Sequence, residues 1–302
     1  MKQKIISEWN LFITSDKQKL YYFIHKNHFH STKPQPVVVL CNGIGASNKA
    51  WKYVVEELKN SFTIIQIAYR GTIEYSSGMD LTLTRHAKDI YELTRQINVD
   101  VYGIIGWSMG VQVALHLSTM LHPKTMVLLC GAQNKATSRV LDSRFLWSLL
   151  KPVVVVGTKQ GEWLLQIGKI ASKSRTFRSV FVHLGTQLGL MGSDLNHNHF
   201  VSLLEEWFEL DLRVVSKQLL ELDSDVGVAT SDLSYVSSYA LVIIGHQDVL
   251  VHRSLSQKLS NALLKSTIWT LPSSGHFVLL ENRKIERKIK TWLLERYANS
   301  QS

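Results

Sequence analysis

The chain has 302 residues, 45% of them hydrophobic and 19% charged, with a formal net charge of +10 at pH 7. That is enough apolar material for a sizeable core, as one large domain or a core plus a subdomain, and it excludes a disordered chain. Two cysteines form no disulfide framework, which excludes a disulfide-stapled secreted scaffold and favours a reducing compartment.

Taken in chain order, residues 10–15 and 20–25 (NLFITS, LYYFIH) read as a β-hairpin joined through Asp16–Lys19. After a polar loop, the wholly apolar run Val37–Leu40 suits a strand buried on both faces of a parallel sheet. An Asn-Gly turn follows, then a helix around Ala50–Lys59, a strand Thr63–Ala68 and a helix Leu83–Ile97. Strand Val101–Ile105 runs directly into a helix Met109–Leu121, and a further strand, Met126–Leu129, ends at Cys130-Gly131. This alternation predicts a mostly parallel sheet flanked by helices.

The rhythm stops at Gln133 and resumes after Ser238 with strand Ala240–Ile244, helix Ser254–Leu264, strand Thr267–Leu271 and helix Arg283–Tyr297. The intervening stretch is helical in pattern, with Phe200–Leu222 as one long amphipathic segment. The expected organisation is a core of residues 1–132 and 239–302 with a helical lid, 133–238, inserted between its halves. Both cysteines, Cys41 and Cys130, end apolar runs and read as small buried hydrophobes.

The sharpest local signal is Gly106-Trp107-Ser108-Met109-Gly110, a G-x-S-x-G between a buried strand and a helix. A sharp strand-to-helix turn lifts the serine hydroxyl into the open, and the helix N-terminus points unpaired N–H groups at developing negative charge. Ser108 is therefore the candidate nucleophile. Its oxyanion would be held by the backbone N–H of Met109 and by that of Ile44, in the loop Cys41-Asn42-Gly43-Ile44-Gly45.

A serine hydroxyl needs a base. Of twelve histidines, His276 alone follows the last strand in a small-residue loop, Ser273-Ser274-Gly275-His276, at the strand end where sites collect in open α/β sheets. Asp248, after strand Ala240–Ile244 in Gly245-His246-Gln247-Asp248, gives the order Ser, Asp, His and is the candidate acid. The preceding strand end, Gly131-Ala132-Gln133-Asn134, offers no carboxylate. His197 and His199 lack the carboxylate or thiolate neighbours of a metal site and read as lid surface or substrate contacts.

In these residues the chain resembles the α/β-hydrolase superfamily, and most closely its small lidded esterase-like members. The matches extend from Asp16–Tyr22 through Asn42-Gly43, Tyr69-Arg70-Gly71 and Asp89 to the Ser108 turn, Gly245–Asp248 and Gly275–His276. The resemblance implies the α/β-hydrolase fold, a Ser108–Asp248–His276 triad, and Ile44 and Met109 as oxyanion-hole donors. Two departures stand out: Asn42 replaces a histidine usual in the family, and Arg70-Gly71-Thr72-Ile73 replaces Arg-Gly-His-Gly. Related dehalogenases and epoxide hydrolases carry an aspartate nucleophile, which Ser108 argues against.

The expected function is serine hydrolysis of an ester or related acyl bond of a fairly apolar small-molecule substrate, with no metal or organic cofactor. The same triad also supports acyl transfer, perhydrolysis or carbon–carbon bond cleavage; a member that only binds a ligand is the rival an intact triad opposes. Trp107 and Met109 read equally well as walls of an acyl pocket and as core. Between Lys135 and Arg178 the lid carries nine basic and two acidic residues interleaved with apolar ones. This composition suits an anionic membrane surface or an acidic acyl carrier, or simply a solvated outer face. No nucleic-acid motif accompanies the charge, so no nucleic-acid partner is expected. The first ten residues lack the apolar stretch of a signal peptide. The expected location is cytoplasmic, peripheral to a membrane at most.

Overall fold

The computed structural model describes residues 9–26, 34–46, 48–138, 147–159, 195–207, 209–281 and 284–301, with seven isolated positions between 174 and 187. Strands β1 (Asn10–Ile13) and β2 (Lys19–His25) form the expected hairpin, pairing Asn10 with Tyr22 and Ile13 with Lys19. β3 (Val37–Cys41) leads through a short 3₁₀ turn, Asn48–Trp51, into α1 (Lys52–Leu58). β4 (Thr63–Ile67), α2 (Leu83–Gln96), β5 (Val101–Trp107), α3 (Met109–Leu121) and β6 (Thr125–Leu129) follow.

Between β6 and the next strand the described residues include a helical run, 147–159, then α4 (His197–Trp207), α5 (Leu212–Ser224) and α6 (Thr230–Tyr235). β7 (Tyr239–Gly245), α7 (Arg253–Ala262), β8 (Lys265–Leu271), α8 (Val278–Glu281) and α9 (Ile285–Gln301) complete the chain. Among the described residues the eight strands lie in one sheet, in the order β1-β2-β4-β3-β5-β6-β7-β8. The pairs β1–β2 and β2–β4 are antiparallel and the rest parallel, so the α/β-hydrolase fold read from the sequence is the fold observed.

The apolar runs have a physical reason. Every residue of β6 and all but the first of β3 are buried, because helices cover both faces of the sheet. Leu83, Ala87, Ile90 and Leu93 of α2 pack with Val111 and Leu115 of α3 and Leu259 of α7 on one face. Trp51, Val54 and Leu58 pack with Ile285, Ile289 and Leu293 of α9 on the other. From β3 the chain crosses outward to β4 and then back to β5 on β3's opposite side. That reversal makes a topological switch point beyond the carboxyl ends of β3 and β5, the place where ligands bind in sheets of this kind.

Two local features differ from the sequence reading. The expected single segment Phe200–Leu222 is two helices, because Asp211 takes the backbone N–H of Arg213 and so starts α5 afresh. The short helix α8 was not anticipated. Of the basic lid residues, Arg139, Arg144, Lys169, Lys173, Arg175 and Arg178 lie outside the described residues. Among the described residues no helix is long and apolar enough to cross a membrane.

At the flank of the sheet, the Arg70 guanidinium is 1% exposed and joins three elements. Its Nε and one terminal nitrogen donate to both Asp89 oxygens of α2, at 2.6 and 2.8 Å. Its terminal nitrogens also donate to both oxygens of Asp16 in the hairpin turn, each at 2.6 Å. Arg85 adds a second guanidinium to Asp89. The Arg70 hydrogen bonds hold the Asp16 carboxyl well below the usual range, whereas burial pushes Asp89 up against the pull of its two guanidinium partners. Beside this cluster, His86 is buried and stacked on Tyr69, with centroids 4.5 Å apart. Burial, aided by the Arg70 charge, pushes its pKa down to about 3, so the ring is neutral at pH 7.

Candidate active site

Ser108 is the single residue between β5 and α3, and its backbone sits at φ 56°, ψ −121°. A side chain in this left-handed region stores of order 1–3 kcal/mol of strain. What holds it there is close main-chain packing. A Cβ on Gly110 would lie 2.0 Å from the Cys41 carbonyl oxygen, and one on Gly106 would lie 2.5 Å from the Gly110 oxygen. No side chain fits at either position, which explains both glycines of the G-x-S-x-G. The Ser108 N–H donates to the Leu129 carbonyl at 2.9 Å, tying the turn to β6.

The loops after β7 and β8 bring the other two candidates to this turn. The Ser108 Oγ lies 2.8 Å from His276 Nε2, and His276 Nδ1 lies 2.9 Å from Asp248 Oδ2. With Nδ1–H donating to the carboxylate, Nε2 is left as the acceptor for the serine hydroxyl. The second Asp248 oxygen accepts from the backbone N–H groups of Leu250 and Val251, at 2.9 and 2.8 Å. The Asp248 and His276 side chains are buried, while Ser108 is only partly so. Asp248, His276 and Ser108 therefore form one continuous hydrogen-bonded chain leading from the interior to a partly exposed hydroxyl.

Three further contacts fix the histidine loop. The Trp107 indole N–H donates to the His276 carbonyl at 3.0 Å, and the Gly275 N–H donates to the buried Glu281 carboxylate at 2.7 Å. Gly245 approaches so closely that a Cβ there would lie 2.0 Å from the Gly275 carbonyl oxygen. Sequence reasoning passed over Glu281; its only signal was a carboxylate closing the apolar run Phe277–Leu280. Trp107 and Met109, for which pocket and core were both open, are buried, and each belongs to one of the two hydrophobic clusters.

The loop after β3 lies against the serine. A Cβ on Gly43 would be 3.3 Å from that of Ser108, and Ile44 follows directly, partly buried. Asn42 turns away from the site: it donates to the Ile67 carbonyl at 2.8 Å and accepts from the Trp51 indole at 2.7 Å. The residue that replaces the family's usual histidine thus braces the ends of β3 and β4.

Other histidines have structural partners. His199 bonds the Lys49 carbonyl at 2.8 Å and packs edge-on against Tyr53; His252 caps α7; His116 pairs with Asp225. Cys41 and Cys130 are buried, and burial pushes both thiols up, away from the thiolate form. Among the described residues no group of three or more His, Cys, Asp or Glu side chains could hold a metal ion.

Known proteins share this fold. A carboxylesterase structure from Nitrososphaera gargenis is 16% identical, with a TM-score of 0.72, covering 96% of this chain and all of that one. An esterase from Exiguobacterium antarcticum is 16% identical, with a TM-score of 0.70, covering 94% of this chain and 98% of that one. A shorter match, 26% identical over 98 residues, is to the protein named "Putative carbamate hydrolase RutD" of Escherichia coli O157:H7. It covers 32% of this chain and spans 36% of that relative's length. The model of the alpha/beta hydrolase family matches residues 38–286. The chain belongs to the alpha/beta hydrolase family.

Proposed function

We propose that the protein is a serine hydrolase that cleaves an ester or related acyl bond of a fairly apolar substrate through an acyl-enzyme intermediate. The observation that carries this reading is the hydrogen-bonded chain from Asp248 through His276 to Ser108, at 2.9 and 2.8 Å. Ser108 Oγ attacks the acyl carbon while His276 Nε2 takes its proton, and the imidazolium formed is stabilised by Asp248. Collapse of the tetrahedral intermediate expels the alcohol, which leaves with the proton from His276. Water then repeats the sequence, releasing the acid and restoring the serine.

In this mechanism the backbone N–H groups of Met109, at the start of α3, and Ile44, beside Gly43, hold the oxyanion. Each such donor contributes about 3 kcal/mol to the transition state. The segment 133–238 acts as the lid, with α4 of that segment placing Phe200 and Trp207 against Phe277. Likeness to esterase and carboxylesterase structures supports the ester reading, and the RutD match keeps carbamates within the acyl bonds to be tried.

The test is labelling with a fluorophosphonate, which reacts only with an activated serine. Wild type is expected to label at Ser108 and Ser108→Ala not at all. Undiminished labelling of the variant would refute the assignment.

A further inference from the structure

Trp207 ends α4 over the loop that carries Gly43 and Ile44. Its indole edge faces Gly45, where an added Cβ would lie 3.5 Å from Cδ1 and 3.6 Å from Nε1. The indole also meets Phe277, with centroids 5.7 Å apart, and Phe277 adjoins His276 at the same separation. Trp207 thus bridges the two sides of the site, the loop beside Ser108 and the loop that carries the base.

The indole Nε1–H is sealed from solvent and, among the described residues, has no hydrogen-bond partner. Two other tryptophans near the site differ: Trp51 donates to Asn42 at 2.7 Å and Trp107 to the His276 carbonyl at 3.0 Å. An indole nitrogen is a donor only, so nothing but an acceptor atom can satisfy it. Among the described residues, Phe200, Phe277 and Leu210 lie near it and offer none in their side chains. A buried donor left unmade is costly, and a site that supplies one discriminates strongly for ligands that use it.

We propose that the Trp207 indole N–H receives a second oxygen of the substrate, outside the reacting carboxyl group. The preferred substrates are then esters that carry an ether, keto or hydroxyl oxygen, and plain alkyl esters are the poorer class. This inference rests on the serine-hydrolase reading above. It assigns Trp207 to specificity, since no bond made or broken in the reaction passes through the indole.

The experiment compares pairs of esters in which one methylene is replaced by an ether oxygen, at each position along the acyl chain and then the alcohol chain. The quantity read is the ratio of kcat/KM within a pair, which cancels any general loss of activity. At one position at least, wild type should favour the ether ester, and Trp207→Phe should lower that preference by about tenfold or more. A ratio that Trp207→Phe leaves unchanged at every position overturns the proposal.

Because the smaller ring could disturb α4, a second measurement leaves Trp207 in place. In Ser108→Ala protein saturated with the favoured ether ester, the Trp207 indole N–H resonance should move downfield, and not with the all-carbon partner. An identical response to both esters overturns the assignment. Ser108→Ala in the turnover assay separates the two ideas. Undiminished turnover there refutes the serine reading itself; lost turnover together with a flat Trp207 ratio refutes only the specificity role.

Discussion

Two polar clusters in this molecule each hold a buried carboxylate, Asp89 in one and Asp248 in the other, and are built differently around it. The flank cluster of Asp16, Arg70 and Asp89 uses the guanidinium fork almost fully, with four hydrogen bonds of 2.6 to 2.8 Å to two carboxylates. It clamps the hairpin turn, the end of β4 and α2 together. The chain of Asp248, His276 and Ser108 is equally well hydrogen-bonded at its buried end. At its other end it stops in a partly exposed hydroxyl on a strained backbone. A buried carboxylate with a basic partner is common to both, so that pairing alone does not single out a candidate site. The difference is one partly exposed group on a strained backbone.

This contrast sets the expected effects, from the largest down. Ser108→Ala should lower ester turnover on the order of 10⁶-fold if it follows other serine hydrolases, with no loss of thermal stability. Turnover assays and circular dichroism melting check both halves. Asp248→Asn should keep the fold and lower turnover by about 10⁴-fold, because the imidazole loses its orienting acceptor and charge partner. Near wild-type turnover would mean that another group orients His276.

Arg70→Met should do the opposite. It leaves the buried Asp89 without its main partner and should cost about 3–5 kcal/mol of stability in urea unfolding. Turnover per folded molecule should suffer far less than in the triad variants. A variant as stable as wild type but as inactive as Ser108→Ala would erase the distinction between the clusters.

The effect that is smallest at pH 7 concerns His86. Its folded-state pKa of about 3 lies below the ordinary 6.5, so below pH 6.5 the unfolded chain binds a proton that the native chain refuses. Stability is therefore full above pH 6.5 and declines as pH falls toward 3, by up to about 1.4 kcal/mol per pH unit. His86→Phe, which keeps a ring against Tyr69 and loses no hydrogen bond, should be near neutral at pH 7. Between pH 6 and 4 its urea midpoint should fall less steeply than that of wild type. Parallel slopes would mean that another group supplies the acid sensitivity.

The sequence made the alternating elements and the three triad candidates readable, because both depend on local information. Val37–Leu40 is apolar on both faces since helices cover both, and G-x-S-x-G requires its glycines at fixed neighbours of the serine. What it did not reveal depends on contacts between distant segments. Asp16, Arg70 and Asp89 were each visible as family-like residues, but nothing in their spacing tells that one guanidinium serves both acids. The break before α5 was missed because the apolar period continues through it, and the Asp211 cap resembles any other aspartate. Glu281 was passed over for the same reason. In the loop that carries His276 it meets a backbone N–H, which leaves no residue type to recognise.

The packing at the Ser108 turn separates the place of the proposed nucleophile from its identity. Cys41, Gly106 and Gly110 meet through main-chain atoms, so the position of residue 108 is set without help from its own side chain. The hydroxyl can in principle be exchanged for a thiol or a carboxylate on an unaltered scaffold, while the glycines on either side cannot accept even a methyl group. Diversity of chemistry is thus permitted at the one residue whose neighbours are the least free to vary.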